Sequence, residues 1–445
     1  EVYRDAEAFY DSAWAIIDSL SAVGFADLRR RLDTRGRGQA VVVFNPLGWP
    51  RDGSVRLAGA TGDEVTVSAS AVPAFGARVI RLDGDGLTAE ERRLPAPTAG
   101  RNWIENAYLR VVIDTLTGAI VRIHDKANER EVLAPGGRAN VLQVFDDRPD
   151  QWDAWNIVIT GERWEVQDVR RAYGRADERA AEFHVERRWG RSTFRQRLVL
   201  SRSSRLLDVD NEVDWRENRK LLKVAFQLGV IADSATYEIP YGSIGRTGVP
   251  RTKAERAKFE VPGQRWADVS TADYGVSILN DSKYGWDYKA NVLRLSLLRS
   301  PVWPDSLADR GAHRFRFAIY PHRDDWRVAG TVRRAAEYNV PLLAAREPEH
   351  DGPLGVEASF AAAEPENVEI TSLKRAEDSD DWVLRLVEWH GKAAEAGVTV
   401  GCQVRRARRA NLLEDPGESV QTEGNTMRLS LRPHEIATLL VECED

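Results

Sequence analysis

The chain has 445 residues, 42% of them hydrophobic and 30% charged, with 63 Lys and Arg against 69 Asp and Glu. That length exceeds one ordinary core and predicts about two to four globular domains. A formal net charge of −6 argues against a nucleic-acid partner, because phosphate binding calls for a basic surface.

Residues 1 to about 32 predict one amphipathic helix. Val2, Ala6, Phe9, Ala13, Ile16, Ile17, Leu20 and Val23 recur at three- and four-residue spacing, and glycines at Gly36 and Gly38 close the segment. The chain then turns β-rich. Val41–Phe44 reads as a buried strand closed by the turn Asn45-Pro46-Leu47-Gly48-Trp49-Pro50, and short strands follow near 54–57, 64–68 and 77–82. Glu90 to Arg101, charged and then Pro- and Ala-rich, reads as a linker.

A hairpin over 108–123 opens a long β region, with further strands near 194–200, 206–209, 223–228, 276–279 and 292–298 and a short helix within 324–338. Ala344 to Gly355 reads as a second linker, and five more strands fill the last hundred residues. The expected divisions are a helix at 1–37, a small β domain at 38–95, a large β sandwich at 96–345 and a terminal β sandwich at 346–445, a mainly-β chain.

No apolar run approaches the roughly 18 residues of a membrane span, and no basic-then-apolar leader opens the sequence. No membrane partner is expected. Cys402 and Cys443 could bridge, though nothing in the sequence says that they do; they are too few for a disulfide scaffold, and a reduced cytoplasmic protein is the simpler reading. The sequence opens at Glu1 without an initiator Met and reads as the back half of something larger.

The chemistry-bearing stretches lie in the large β region. Phe145 to Asn156 is dense in aromatics and carboxylates; Trp152 and Trp155 suit a loop, one indole packed inside and one free to stack. A plain structural loop whose acids cap backbone amides is the competing reading. Arg246 is expected on a glycine-flanked loop at 245–248, which an ordinary surface loop would equally explain. The strands ending near Leu279 and Leu298 run into Asn, Asp, Lys, Tyr, Arg and Trp: Asp281, Tyr284, Arg299 and then Pro-Val-Trp-Pro-Asp. Such side chains suit a surface that bonds sugar hydroxyls and stacks on ring faces. Arg299, following an apolar run and preceding Pro301, is expected where a strand ends, reaching a sugar or else pairing with Asp305 or Asp309. The seven histidines have no metal-ligand spacing, and no nucleophile elbow or Cys-x-x-Cys is present.

Several words in order resemble one family. They are Phe44-Asn45-Pro46-Leu47-Gly48-Trp49-Pro50-Arg51, the hairpin from Asn106 to Asp125, and Trp152-Asp153-Ala154-Trp155. Trp266-Ala267-Asp268, Asp273-Tyr274-Gly275-Val276, Leu279-Asn280-Asp281, Lys283-Tyr284-Gly285, Leu297-Leu298-Arg299-Ser300-Pro301 and Leu431 to Leu439 follow. Together they resemble the carboxyl-terminal region of glycoside hydrolase family 38, the α-mannosidases. Asn156 stands where the family word continues with Asp, and the loop at 245–248 departs from the family's Arg-Pro-Thr.

The resemblance implies a parent enzyme that hydrolyses α-mannosides with retention, its zinc and nucleophilic Asp on an amino-terminal barrel missing from this sequence. It implies that the first helix ends a helical bundle and that the large domain is a galactose-mutarotase-like β supersandwich. On this reading the chain has no catalytic residue, metal or cofactor of its own, and zinc belongs to the full-length parent. Trp152, Asp153, Trp155, Arg246, Asp281, Tyr284 and Arg299 would wall the cleft for a mannose-containing oligosaccharide, at the sandwich end facing the barrel. A homo-oligomer is compatible with it. The alternative is a stand-alone carbohydrate-binding or aldose-epimerase-like protein, for which His313 or His322 would be the first acid–base candidates.

Overall fold

A computed structural model describes residues 2–58, 64–82 and 87–444. Glu1, where the expected helix begins, lies outside the described residues, as do two short stretches of the expected small β domain. Residue contacts divide the chain into two compact units, 90–339 and a second made of 1–89 with 340–445. We retain the finer four-part division as a proposal.

The 90–339 unit is a β sandwich. One sheet of nine antiparallel strands runs in the order Asp168–Ala176, Ala180–Trp189, Ser192–Ser201, Leu207–Trp215, Gly311–Arg323, Tyr274–Asn280, Trp266–Ser270, Ser234–Ile239 and Gly242–Thr247. The other has six: Ile159–Glu165, Val141–Asp147, Lys220–Gln227, Val292–Arg299, Gly285–Lys289 and Val261–Pro262. Alternating residues of both sheets meet in one core, Phe183, Phe194, Leu198, Val209 and Phe317 against Leu142, Val144, Val224, Phe226 and Leu295. Phe226 and Phe317 meet edge to face across the layers at 5.7 Å.

The alternation leaves the outer side of the six-stranded sheet polar. Gln143, Lys223, Asp287, Arg294 and Ser296 point there, between core neighbours such as Val144, Val224, Trp286 and Leu295. Two adjacent strands join through the two-residue turn Ala290-Asn291, at φ 49° and 62°, which pairs Lys289 with Val292. Such left-handed two-residue turns match the twist of a hairpin.

In the other unit, Gln39–Asn45 sits between Leu343–Glu347 and Gly76–Leu82, with Glu357–Ser359 at the edge. The expected linker at 344–355 thus begins as a paired strand, recruited by the open edge of Gln39–Asn45. The linker expected at 90–101 holds the helix Ala89–Arg93 and the strand Thr98–Ala99. A second sandwich follows, in which Val398 and Met427 of one sheet pack against Leu384 and Leu439 of the other.

Helix Val2–Arg31 is anchored at its C-terminal end, where Phe25, Leu28 and Leu32 pack near Val42 and Ala77. Its earlier apolar residues, including Phe9, Trp14, Leu20 and Val23, are exposed. Cys402 and Cys443 form a disulfide with Cα atoms 5.9 Å apart, which corrects the free-thiol expectation. Their strand ends are neighbours, a proximity that no spacing in the sequence reveals.

Candidate functional site

Antiparallel register sets one end of the six-stranded sheet. Asp146 pairs with Lys220, Leu221 with Arg299, Asp147 with Ile159 and Trp286 with Leu295, so residues 147, 159, 220, 285 and 299 lie at the same end. The connection 148–158 leaves from here, as does the segment after Ser300.

Three tryptophans meet on these loops. Trp152 and Trp303 have ring centroids 5.3 Å apart, Trp155 and Trp303 5.8 Å, and Trp152 and Trp155 6.2 Å. They are 55%, 67% and 47% exposed. A monomeric surface seldom gathers three large apolar rings into one patch without use for it. Both Trp152 and Trp155 face outward, which corrects the expectation that one is packed inside. The turn explains it: the Trp152 carbonyl accepts from the amides of Trp155 and Asn156 at 2.8 and 2.9 Å, which turns both rings to one side. Trp152 holds φ at 61°, a conformation costly for a residue with a Cβ.

Arg299 fastens the loop. Its Nε donates to Asp147 Oδ2 at 2.6 Å, Nη1 to the Ala154 carbonyl at 3.2 Å and Nη2 to the Asn156 carbonyl. Asp147, 2% exposed, uses its other oxygen to accept from the Val158 amide at 2.8 Å. Neither Asp305 nor Asp309 is the partner of Arg299, which corrects that expectation. Asp153 is buried and accepts from the Val302 amide at 3.3 Å, tying the Trp152 loop to the Trp303 segment. Next to this knot, burial alone would raise the Asp146 carboxyl. Hydrogen bonds from Lys220, Arg148 and Thr160 outweigh it and hold the group at about 2.

The other expected residues lie apart from this cluster in their contacts. Arg246 falls within the strand Gly242–Thr247, not on a free loop; its backbone pairs with Ser234–Ile239, its Nη1 donates to the Pro262 carbonyl at 2.5 Å and its guanidinium lies over Tyr237. Pro262 pairs with Gly285, so the exposed Tyr284 is close along the same edge. Asp281 accepts from the Arg316 amide at 3.2 Å and from the Ser282 hydroxyl at 3.0 Å. The structure therefore brings together Trp152, Asp153, Trp155 and Arg299. Trp303, four residues after Arg299, belongs to the Pro-Val-Trp-Pro-Asp run that the sequence flags, but it does not stand among the seven expected wall residues.

The epimerase candidates offer no exposed acid–base pair. His322 is 3% exposed and bonded to Asp268 at 2.8 Å, and His313 is bonded to the Asp309 carbonyl at 2.8 Å. Among the described residues no group of three or more His, Cys, Asp or Glu could hold a metal ion, so the residues present do not fit a zinc site. Nor is any described helix long and apolar enough to cross a membrane.

Residues 104–307 match the glycosyl hydrolases family 38 C-terminal domain, and residues 367–439 match the family 38 C-terminal beta sandwich domain. Human alpha-mannosidase 2C1 is 32% identical over 358 residues, 77% of this chain and 34% of that protein. The alpha-mannosidase of Saccharomyces cerevisiae is 30% identical over 373 residues, 75% of this chain and 34% of its own length. The chain thus spans about a third of the curated relatives it matches. In fold it is similar to an alpha-mannosidase from Enterococcus faecalis V583, with a TM-score of 0.82 at 15% identity over 99% of this chain and 60% of that one. With both C-terminal domain types of the family present in order, this chain belongs to glycosyl hydrolase family 38.

Proposed function

We propose that this chain is the C-terminal β region of a retaining α-mannosidase and that its three-tryptophan surface walls the cleft for a mannose-containing oligosaccharide. The observation that carries the reading is the exposed Trp152–Trp155–Trp303 cluster, held open by Arg299 on a family 38 sandwich. An indole face buries the apolar side of a sugar ring while the ring's hydroxyls stay free for polar neighbours. The zinc and the nucleophile of such an enzyme would come from an amino-terminal barrel outside this sequence, and no catalytic step is assigned to the residues here. Arg246, Asp281 and Tyr284 are proposed as outer contacts of the same cleft.

Tryptophan emission tests the reading. An α-1,2- or α-1,6-linked mannobiose should shift the emission of the 445-residue chain saturably, and Trp303→Ala should remove the shift. A saturable response to cellobiose with none to either mannobiose would reject mannose as the substrate class; no response to any saccharide would reject the platform.

A cytoplasmic location is proposed from the low cysteine content, while the Cys402–Cys443 bridge favours an oxidising compartment. Thiol labelling of protein quenched directly from cells separates the two: two labelled cysteines place it in a reducing compartment, none in an oxidising one.

A further inference from the structure

The polar outer side of the six-stranded sheet holds a cavity of about 440 Å³, lined by Phe145, Ile157, Ile159 and Phe259 with Lys223, Lys289, Asp287 and Arg294. That volume lies within the range of small-molecule sites, about 300–1,000 Å³. A second cavity of about 180 Å³ adjoins it through Arg294 and is lined by Arg138, Arg163 and Glu165 among others.

The floor of the larger cavity is a tied network. Lys223 Nζ reaches Glu260 Oε2 at 2.5 Å and Asp287 Oδ2 at 2.8 Å. Arg294 donates from Nη1 to Asp287 Oδ1 at 2.9 Å and from Nε to Gln143 Oε1 at 3.0 Å, and the Ser296 hydroxyl donates to Glu260 at 2.9 Å. Both carboxylates are therefore occupied by cations. What stays open is donor capacity: Arg294 Nη2 and the exposed Lys289 ammonium have no acceptor among the described residues. Across the two cavities five cationic side chains (Arg138, Arg163, Lys223, Lys289 and Arg294) face three carboxylates (Glu165, Glu260 and Asp287), a positive groove on a chain of net charge −6. Donors without free acceptors select an acceptor-rich, negatively charged ligand. The apolar wall of Phe145, Phe259, Ile157 and Ile159 suits the flat face of a ring rather than a bare ion.

We propose that this groove is a second saccharide site that takes a pyranose bearing an acidic group, a carboxylate or a phosphate. It lies on the face of the sheet and borders the tryptophan loop through Ile157, and it does not depend on the mannosidase reading.

Calorimetric titration of the 445-residue chain tests it with four probes: glucuronic acid, mannose 6-phosphate, mannose and inorganic phosphate. At least one acidic sugar should bind about tenfold or more tighter than mannose and than inorganic phosphate. Both Lys289→Ala and Phe259→Ala, at solvent-exposed positions, should weaken it about tenfold, while Trp155→Ala should leave it unchanged. Which acidic sugar binds identifies the acidic group. Equal binding of mannose, equal binding of inorganic phosphate with no effect of Phe259→Ala, or no binding of any probe would each overturn the proposal. Loss of binding in Trp155→Ala would also overturn it, by placing the ligand on the tryptophan surface. A mannobiose response without acidic-sugar binding removes this site and leaves the mannosidase reading standing.

Discussion

Arg299 bonds the buried carboxylate of Asp147 and two carbonyls of the tryptophan loop, so it fastens that loop to the sheet. Its side chain is 16% exposed and that of Asp147 is 2%. Removing one member of a buried ion pair strands the other, at a cost of about 3–5 kcal/mol. Arg299→Ala should therefore lower thermal stability and saccharide binding together. Trp155→Ala should abolish the emission response to mannobiose with stability within about 0.5 kcal/mol, as at other exposed positions. Trp152→Gly should also lose the response without losing stability, since glycine accepts the positive φ that Trp152 tolerates at a cost. Thermal melts beside fluorescence titrations check all three, and a stable Arg299→Ala protein would move that residue from fastening to contact. Residues in several of the family-like words are fasteners of the same kind. Asn45 donates to the carbonyls of Trp49, Val72 and Pro73 and accepts from the Leu47 amide; Asn280 accepts from the amides of Ser282 and Lys283. Their residue types could be read in the sequence, but which of them face a ligand and which face their own backbone could not, because that depends on partners many residues away.

Among the elements, strict alternation made Ser192–Ser201 legible, but of Leu207–Trp215, which alternates as strictly, only the first residues were read as strand. The outer side of the six-stranded sheet was not. Lys223, Asp287 and Arg294 occupy positions on its outer side and pair with one another under cover, which no local pattern announces. Leu343–Glu347 and the strand holding Arg246 read as linker and loop because their strand character comes from long-range pairing. The helix Val2–Arg31 was legible through its apolar spacing, and its exposed face raises a separate expectation. Thirty helical residues span about 45 Å, and tertiary packing supports the end that carries Phe25 and Leu28. Unsupported helix is marginal in water. Hydrogen exchange on the monomeric chain should therefore show fast exchange before Gly24 and slow exchange from Phe25 to Arg31. Uniform protection along the helix would mean that the exposed face is covered in solution.

At the scale of the whole molecule, the 90–339 unit has its own core, and the C-terminal sandwich of the other unit is crossed by the one disulfide among the described residues. A bridge separated by 41 residues contributes about 4 kcal/mol through the restriction it places on the unfolded chain. Scanning calorimetry should resolve more than one transition, as is usual for chains with separate cores. Reductant should lower the transition that contains the C-terminal sandwich and leave that of 90–339 in place; a uniform shift would mean that the two units unfold as one. The presence of two cysteines was legible, but their pairing was not, since it follows from which strand ends the terminal sandwich makes neighbours.

The turn Ala290-Asn291 bears on how this sheet can change over time. It sets which side of two strands Lys289, Asp287 and Arg294 occupy. A slip of one residue in the pairing of these two strands would turn every following side chain to the opposite side. Leu293, Leu295 and Leu297 would leave the core in the same step that took Arg294 and Ser296 from the groove. Positions 290 and 291, both at positive φ, should accept Gly and Asn most readily, since those residues hold the turn that fixes this pairing. The connection 148–158, which leaves the sheet at the tryptophan end, is free of that constraint and can change in length without disturbing the pairing.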